Sequence, residues 1–146
     1  MGPAGQPQPG GPSRDTILNG IAAGTATGKA WAVGFYADGA TQKTLILAWT
    51  GTKWVQQASP SPGVSALYGA VTTAADSTWA VGNYDNGTTV LSLILRWNGT
   101  KWTRVASPNP GSGNTLYAVA TSSASNVWAV GVFIDDIHET FAIHCC

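Results

Sequence analysis

Short runs of apolar and β-branched residues, interrupted by polar turn residues, recur along the chain. The pattern is clearest between residues 67 and 108, where four runs are typical of strands: Leu67 to Thr72, Thr78 to Asn83, Val90 to Trp97 and Lys101 to Ala106. Turn signals separate these runs, and Asn98-Gly99 is a strong signal for a tight hairpin. The stretch therefore predicts four antiparallel strands, each paired with the next.

The same segments return at a spacing of about 48 residues, within the range of propeller blades and other repeat arrays. The segment from Trp31 to Gly34 returns at Trp79 and again at Trp128. Three further segments occur twice, beginning at Leu45 and Leu93, at Gly51 and Gly99, and at Ala58 and Ala106. Matches at several fixed offsets indicate a repeat and not a chance similarity.

The repeated motifs WAVG, WNGTKW and SPNPG resemble those of bacterial β-propeller repeat proteins, broadly kelch-like or WD40-like, over nearly the whole chain. The resemblance implies an all-β fold of about three four-stranded antiparallel blades, at about residues 16–62, 63–110 and 111–146, the third incomplete. It also implies that Leu18, Leu67 and Leu116 open the inner strands. The Gly- and Pro-rich residues 1–15 are expected to form a flexible segment before the blades.

Three blades are too few to close a propeller, which usually contains four to eight, and they leave sheet faces and strand edges uncovered. A homodimer would supply about six blades, whereas a trimer would supply about nine. We therefore expect the chain to associate with itself head to tail as a dimer. The alternative is that it is a piece of a longer structural array, which predicts open, concentration-dependent oligomers.

Composition and charge limit the classes of partner that the protein is expected to bind. Seven basic residues balance seven acidic ones, and charged residues make up only 10% of the chain, so nothing favours a nucleic acid or an anionic membrane. We find neither a transmembrane segment nor a signal peptide, and the compartment is left open. A small molecule or a glycan is the kind of ligand that a propeller would take. The seven tryptophans recur at blade spacing, which predicts that they pack between blades.

The C-terminus departs from the repeat. Both histidines and both cysteines, namely His138, His144, Cys145 and Cys146, fall within the last nine residues. On a strand, His144 and Cys146 share one face while Cys145 points to the other. Imidazole and thiolate both bind zinc, so these four residues are candidate metal ligands, with His138 joining through a fold in the chain or a second subunit.

Three interpretations of the terminal residues follow. A bound zinc ion could be structural or adventitious. It could instead be catalytic, with Glu139 or Asp136 as general base for a metal-dependent hydrolase of activated esters or phosphoesters. If no zinc is bound, His-Cys-Cys is simply a frayed end with reactive thiols. The sequence leaves open whether the protein is an enzyme. The function that the sequence favours is a self-assembling β-propeller scaffold that binds a ligand without catalysis and needs no cofactor.

Overall fold

The computed structural model describes Pro7, residues 14–24 and residues 28–145, and these residues form eleven β-strands. No helix that could cross a membrane occurs among them. The strands fall into three units that follow the sequence repeat. Unit 1 contains β1 (Thr16–Ala23), β2 (Ala30–Asp38), β3 (Thr41–Trp49) and β4 (Trp54–Gln57). Unit 2 contains β5 (Val64–Ala74), β6 (Ser77–Asp85), β7 (Val90–Trp97) and β8 (Trp102–Val105). Unit 3 contains β9 (Gly113–Ser123), β10 (Asn126–Ile134) and β11 (His138–His144).

Every unit is an antiparallel meander in which each strand pairs with the next. Unit 1 is a separate four-stranded sheet, whereas units 2 and 3 join into one mixed seven-stranded sheet through a single parallel pair, Val90 with Gly113. The first sheet runs from β1 to β4, and the second has β5 and β11 at its two ends. The prediction of an all-β fold with four antiparallel strands per unit is confirmed for units 1 and 2, and the described part of unit 3 has three strands.

The predicted strand limits agree closely with the structure. Residues 90–97 form β7 as predicted, and β5 and β6 each extend a few residues beyond their predicted ends. The three leucines expected to open the first strands, Leu18, Leu67 and Leu116, instead lie two or three residues inside them. The tight hairpin turn predicted at Asn98 is a four-residue turn in the structure. Trp97 pairs with Trp102, and residues 98–101 lie between them. The Asn98 side chain accepts hydrogen bonds from two backbone amides there, each at 3.0 Å.

The segment predicted to be flexible, residues 1–15, lies outside the described residues apart from Pro7, Arg14 and Asp15. The Asp15 carbonyl accepts a hydrogen bond from the Ala37 amide at 2.8 Å, and Arg14 forms an ion pair with Asp38. Lys43 donates to the same carboxylate at 2.7 Å, and these two cations lower the pKa of Asp38, with the Lys43 bond as the largest cause. Arg14 and Asp15 are thus fastened to the end of β2 in unit 1.

Side chains alternate between two faces of each sheet, and both faces have a repeating composition. One face, here called the tryptophan face, carries Trp31, Val33 and Ile46 in unit 1 and their counterparts Trp79, Val81 and Ile94 in unit 2. The opposite face, called the leucine face, carries Ala32, Leu45 and Leu47 in unit 1 and Ala80, Leu93 and Leu95 in unit 2.

The units stack with the tryptophan face of one on the leucine face of the next. One core cluster joins Trp31 and Val33 of unit 1 to Leu93 and Leu95 of unit 2. A second cluster repeats the contact between units 2 and 3, where Trp79 and Val81 pack with Phe141. Burying one indole removes about 150–250 Å² of surface from water, so these two junctions are the main apolar contribution to stability.

Two Pro-rich linkers, residues 58–63 and 106–112, each connect the last strand of one unit to the first strand of the next. Each linker is fastened to the third strand of the unit it leaves. In unit 1 the Thr44 amide donates to the Ser61 hydroxyl at 2.9 Å, and in unit 2 the Ser92 amide donates to the Asn109 side chain at 2.7 Å. Because the two bonds occupy equivalent positions, the linkers follow a common path and fix how consecutive units stack.

We expect Asn114→Ala to lower the free energy of unfolding by about 1–3 kcal/mol, since it leaves buried backbone groups without partners. The fully buried Asn114 amide donates to the carbonyls of Gly111 and Val90, at 2.8 and 3.1 Å, and so ties the linker to β7. Urea unfolding followed by tryptophan fluorescence measures the change. The control is Ser112→Ala, which removes one exposed hydrogen bond to Ile134. An equal loss in both variants would contradict the prediction.

Candidate functional site

The C-terminal residues singled out in the sequence lie along β11. His138 pairs with Ile134 at one end of the strand, and His144 pairs with Trp128 at the other. Glu139 is exposed next to His138. His138 lines a small cleft of about 200 Å³ between units 2 and 3, whereas His144 lies at the far edge of the sheet. The strand therefore separates the two candidate histidine ligands by its full length.

His144 is engaged in a local contact with two side chains of β10. Its ring packs on the Trp128 indole with centroids 4.6 Å apart. The Asn126 side-chain oxygen lies 2.9 Å from His144 Nε2 and accepts from Trp128 Nε1 at 3.0 Å. The Trp128 indole N–H can only donate, so the Asn126 atom that it meets is the oxygen, and His144 Nε2 is the donor to that same oxygen. His144 Nε2 is therefore engaged by Asn126, and the His144 ring packs on Trp128.

Cys145 points to the opposite side from His144, as strand alternation predicts. It is half-buried against the core cluster between units 2 and 3, where it occupies the position that Trp97 has in unit 2. Cys146 lies outside the described residues. Within residues 14–24 and 28–145, no three His, Cys, Asp or Glu side chains come together as a metal site requires. The structure thus leaves the zinc hypothesis without support.

The exposed end of the stack is the tryptophan face of unit 3. Trp128 and Val130 are each 49% exposed, whereas Trp79 and Val81, their counterparts in unit 2, are 2% and 0% exposed. His144 lies on this same face beside Trp128. Trp128 is therefore uncovered in the single chain, because no fourth unit among the described residues follows it.

The other end of the stack shows the matching feature. Leu18, on the leucine face of unit 1, is 37% exposed, whereas Leu67 and Leu116 at the equivalent positions are fully buried by a neighbouring unit. Tyr36 and Trp54 are half-buried around the buried Leu45 and Leu47 on this face. The chain thus ends in one uncovered tryptophan face and one partly uncovered leucine face.

A bulge at the same position of each first strand is a feature that the sequence pattern did not predict. The bulged residues are Asn19 in β1, Tyr68 in β5 and Tyr117 in β9. The Tyr68 and Tyr117 rings lie 5.4 Å apart, and burial raises the pKa of the Tyr68 hydroxyl. Bulges redirect side chains and are frequent beside binding sites, so these tyrosines form a second candidate surface.

Comparison with known proteins adds no functional assignment. No protein-family model matches the chain, and no curated protein matches it. The function is therefore inferred from the faces, clefts and contacts of the structure.

Proposed function

We propose that the chain is half of a β-propeller, and that two copies close head to tail into a six-unit ring that serves as a binding scaffold without catalysis. The observation that carries this proposal is the exposure of Trp128 and Val130 on a face that is buried wherever another unit follows it. An exposed, contiguous apolar face on a soluble protein is typical of an interaction site.

The contacts between units within the chain indicate how two copies would contact each other in the proposed ring. At the first junction Trp31 contacts Trp102 with ring centroids 5.2 Å apart and edge-to-face geometry. The counterpart of Trp102 in unit 1 is Trp54, which is half-buried on the leucine face. In the proposed ring, Trp128 of one copy packs against Trp54 and Leu18 of the other. The junction between copies would then repeat the junctions within each copy.

Two copies are favoured because head-to-tail contacts close only at particular numbers of units. Propellers usually contain four to eight blades, so two chains of three units fall within that range and three chains do not. In such a ring the first strands β1, β5 and β9 would line the centre. Tyr68 and Tyr117 would then face the central cavity, where a small molecule or a glycan would bind.

The alternative of a zinc-dependent hydrolase gains nothing from the described residues. His138 and Glu139 lie at one end of β11 and His144 at the other, and Cys145 faces away from His144. No observation brings these groups to one point, so we do not propose catalysis by them.

Native mass spectrometry of the wild-type protein tests the assembly. We expect one closed species with twice the mass of the chain, and its fraction should rise with concentration without giving larger oligomers. A series of trimers, tetramers and longer species would support an open array instead. A monomer at all concentrations would overturn the proposal.

A further inference from the structure

The junction between units 1 and 2 contains a cleft of about 430 Å³ at the end where β2 begins and β3 ends. Trp31 of unit 1 and Trp97 of unit 2 line it, and Trp49 borders it at the end of β3 while its ring packs on Trp54 on the other face of the sheet. Trp31 and Trp97 are in contact, with ring centroids 4.9 Å apart. Lys29, Thr50 and Gln57 also line this cleft and add polar groups to it. The cleft thus combines aromatic walls with hydrogen-bonding groups, the usual composition of a small-molecule site.

Comparison of the two junctions shows why this cleft is open. Ala48 lies opposite Trp31 in the β2–β3 pair, and the equivalent residue in unit 2 is Arg96, opposite Trp79. The Arg96 guanidinium lies over the Trp79 ring, 5.1 Å from its centroid. At the second junction arginine therefore fills the space beside the indole that alanine leaves open at the first, although Trp31 and Trp79 are both buried, at 6% and 2% exposure. Cys145 also replaces the second aromatic wall there, at the position equivalent to Trp97.

We propose that this cleft binds a hexose unit of a neutral saccharide. A sugar ring has an apolar C–H face that packs on an indole and a rim of hydroxyls that hydrogen-bond to polar side chains. A purely apolar ligand would offer no partner to the Gln57 side-chain amide, whereas the Thr50 hydroxyl is already bonded to the Lys53 backbone. An anion is not favoured, because Asp76 lies 3.8 Å from the Lys29 ammonium and offsets its charge. The site lies within one chain and does not depend on the proposed ring.

The test is titration of the wild-type protein with glucose, galactose, N-acetylglucosamine and cellobiose, followed by tryptophan fluorescence and isothermal titration calorimetry. We expect at least one of these sugars to saturate the protein at one site per chain. Ala48→Arg should weaken that binding at least about tenfold, because the new guanidinium would cover Trp31 as Arg96 covers Trp79. The second junction already accepts arginine at this position, so we expect the variant to fold.

Ala40→Arg is the matched control, since it adds the same side chain at an exposed turn between β2 and β3. It should bind the sugar as the wild type does. If Ala48→Arg does not fold, Gln57→Leu serves instead, with the expectation of weaker binding from loss of a polar group. Failure of all four sugars to bind, binding of indole alone, or wild-type affinity in the folded cleft variant would each overturn the proposal.

Discussion

Gly82→Ala is expected to destabilise the protein by about 3 kcal/mol or more, the upper range for overpacking in a core. A Cβ atom on Gly82 would lie 1.9 Å from the Ala66 carbonyl oxygen and 2.9 Å from the Leu67 Cα atom. Both are backbone atoms of β5, which is paired with β6 on either side of the bulge at Tyr68. The strands would have to separate, so urea unfolding should begin at a clearly lower concentration.

The control for this prediction is Gly113→Ala. A Cβ atom there would meet only the Ile134 side chain, at 3.4 Å or more, which is ordinary contact. We expect a change within about 1 kcal/mol, including a gain, because alanine restricts the unfolded chain. Equal midpoints for the Gly82→Ala variant and the wild type in urea would show that β5 yields easily and would contradict the prediction. The glycine of the WAVG motif would then need another explanation.

The strands could be predicted because three copies of one pattern can be compared. Turn residues such as Gly51 and Gly99 recur at a fixed offset, and the residues between the turns alternate. The bulges at Asn19, Tyr68 and Tyr117 were not predicted, because a one-residue shift in pairing leaves the composition of a strand unchanged. The sequence does contain a glycine directly after two of the bulged residues, namely Gly20 after Asn19 and Gly69 after Tyr68. Glycine there lets neighbouring first strands approach, and the Gly20 Cβ position lies 3.0 Å from the Gly69 Cα atom.

The candidate site was harder to predict for a different reason. Trp128 lies in the same motif as Trp31 and Trp79, and alternation shows only that the three side chains share one face of their sheets. Whether that face is covered depends on a neighbouring unit and not on the motif. His144 drew attention as a candidate ligand, whereas the structure places it against Trp128 and Asn126. The motif itself therefore carried no signal that its third tryptophan would be exposed.

The difference between Ala48 and Arg96 shows how much a single repeat position can change. Both residues lie opposite a buried tryptophan in equivalent strand pairs. Because the surrounding backbone is shared, this difference and the replacement of Trp97 by Cys145 decide whether the indole is covered by a cation or lines a cleft. Comparison of the repeats identifies the change from alanine to arginine, and the structure shows how that change affects the cleft.

Val130→Glu is expected to convert the proposed dimer into a monomer, with association at least about a hundredfold weaker, because the ring would bury an unpaired carboxylate. The counterparts Val33 and Val81 are fully buried at the junctions inside the chain. Val130 is 49% exposed in the single chain, so the variant monomer should remain folded. Sedimentation velocity measures the association, and Ile137→Glu, at an exposed hairpin position 69% accessible to solvent, should leave it unchanged.

A second variant separates head-to-tail closure from a symmetric contact between two tryptophan faces. In the proposed ring Leu18→Glu also places a carboxylate in the junction, so it should dissociate the dimer as Val130→Glu does. Mixing the two variants allows a heterodimer in which one junction has no substitution, so the mixture should associate more strongly than either variant alone. If Leu18→Glu remains fully dimeric and mixing restores nothing, the two copies meet through their tryptophan faces and the ring is wrong.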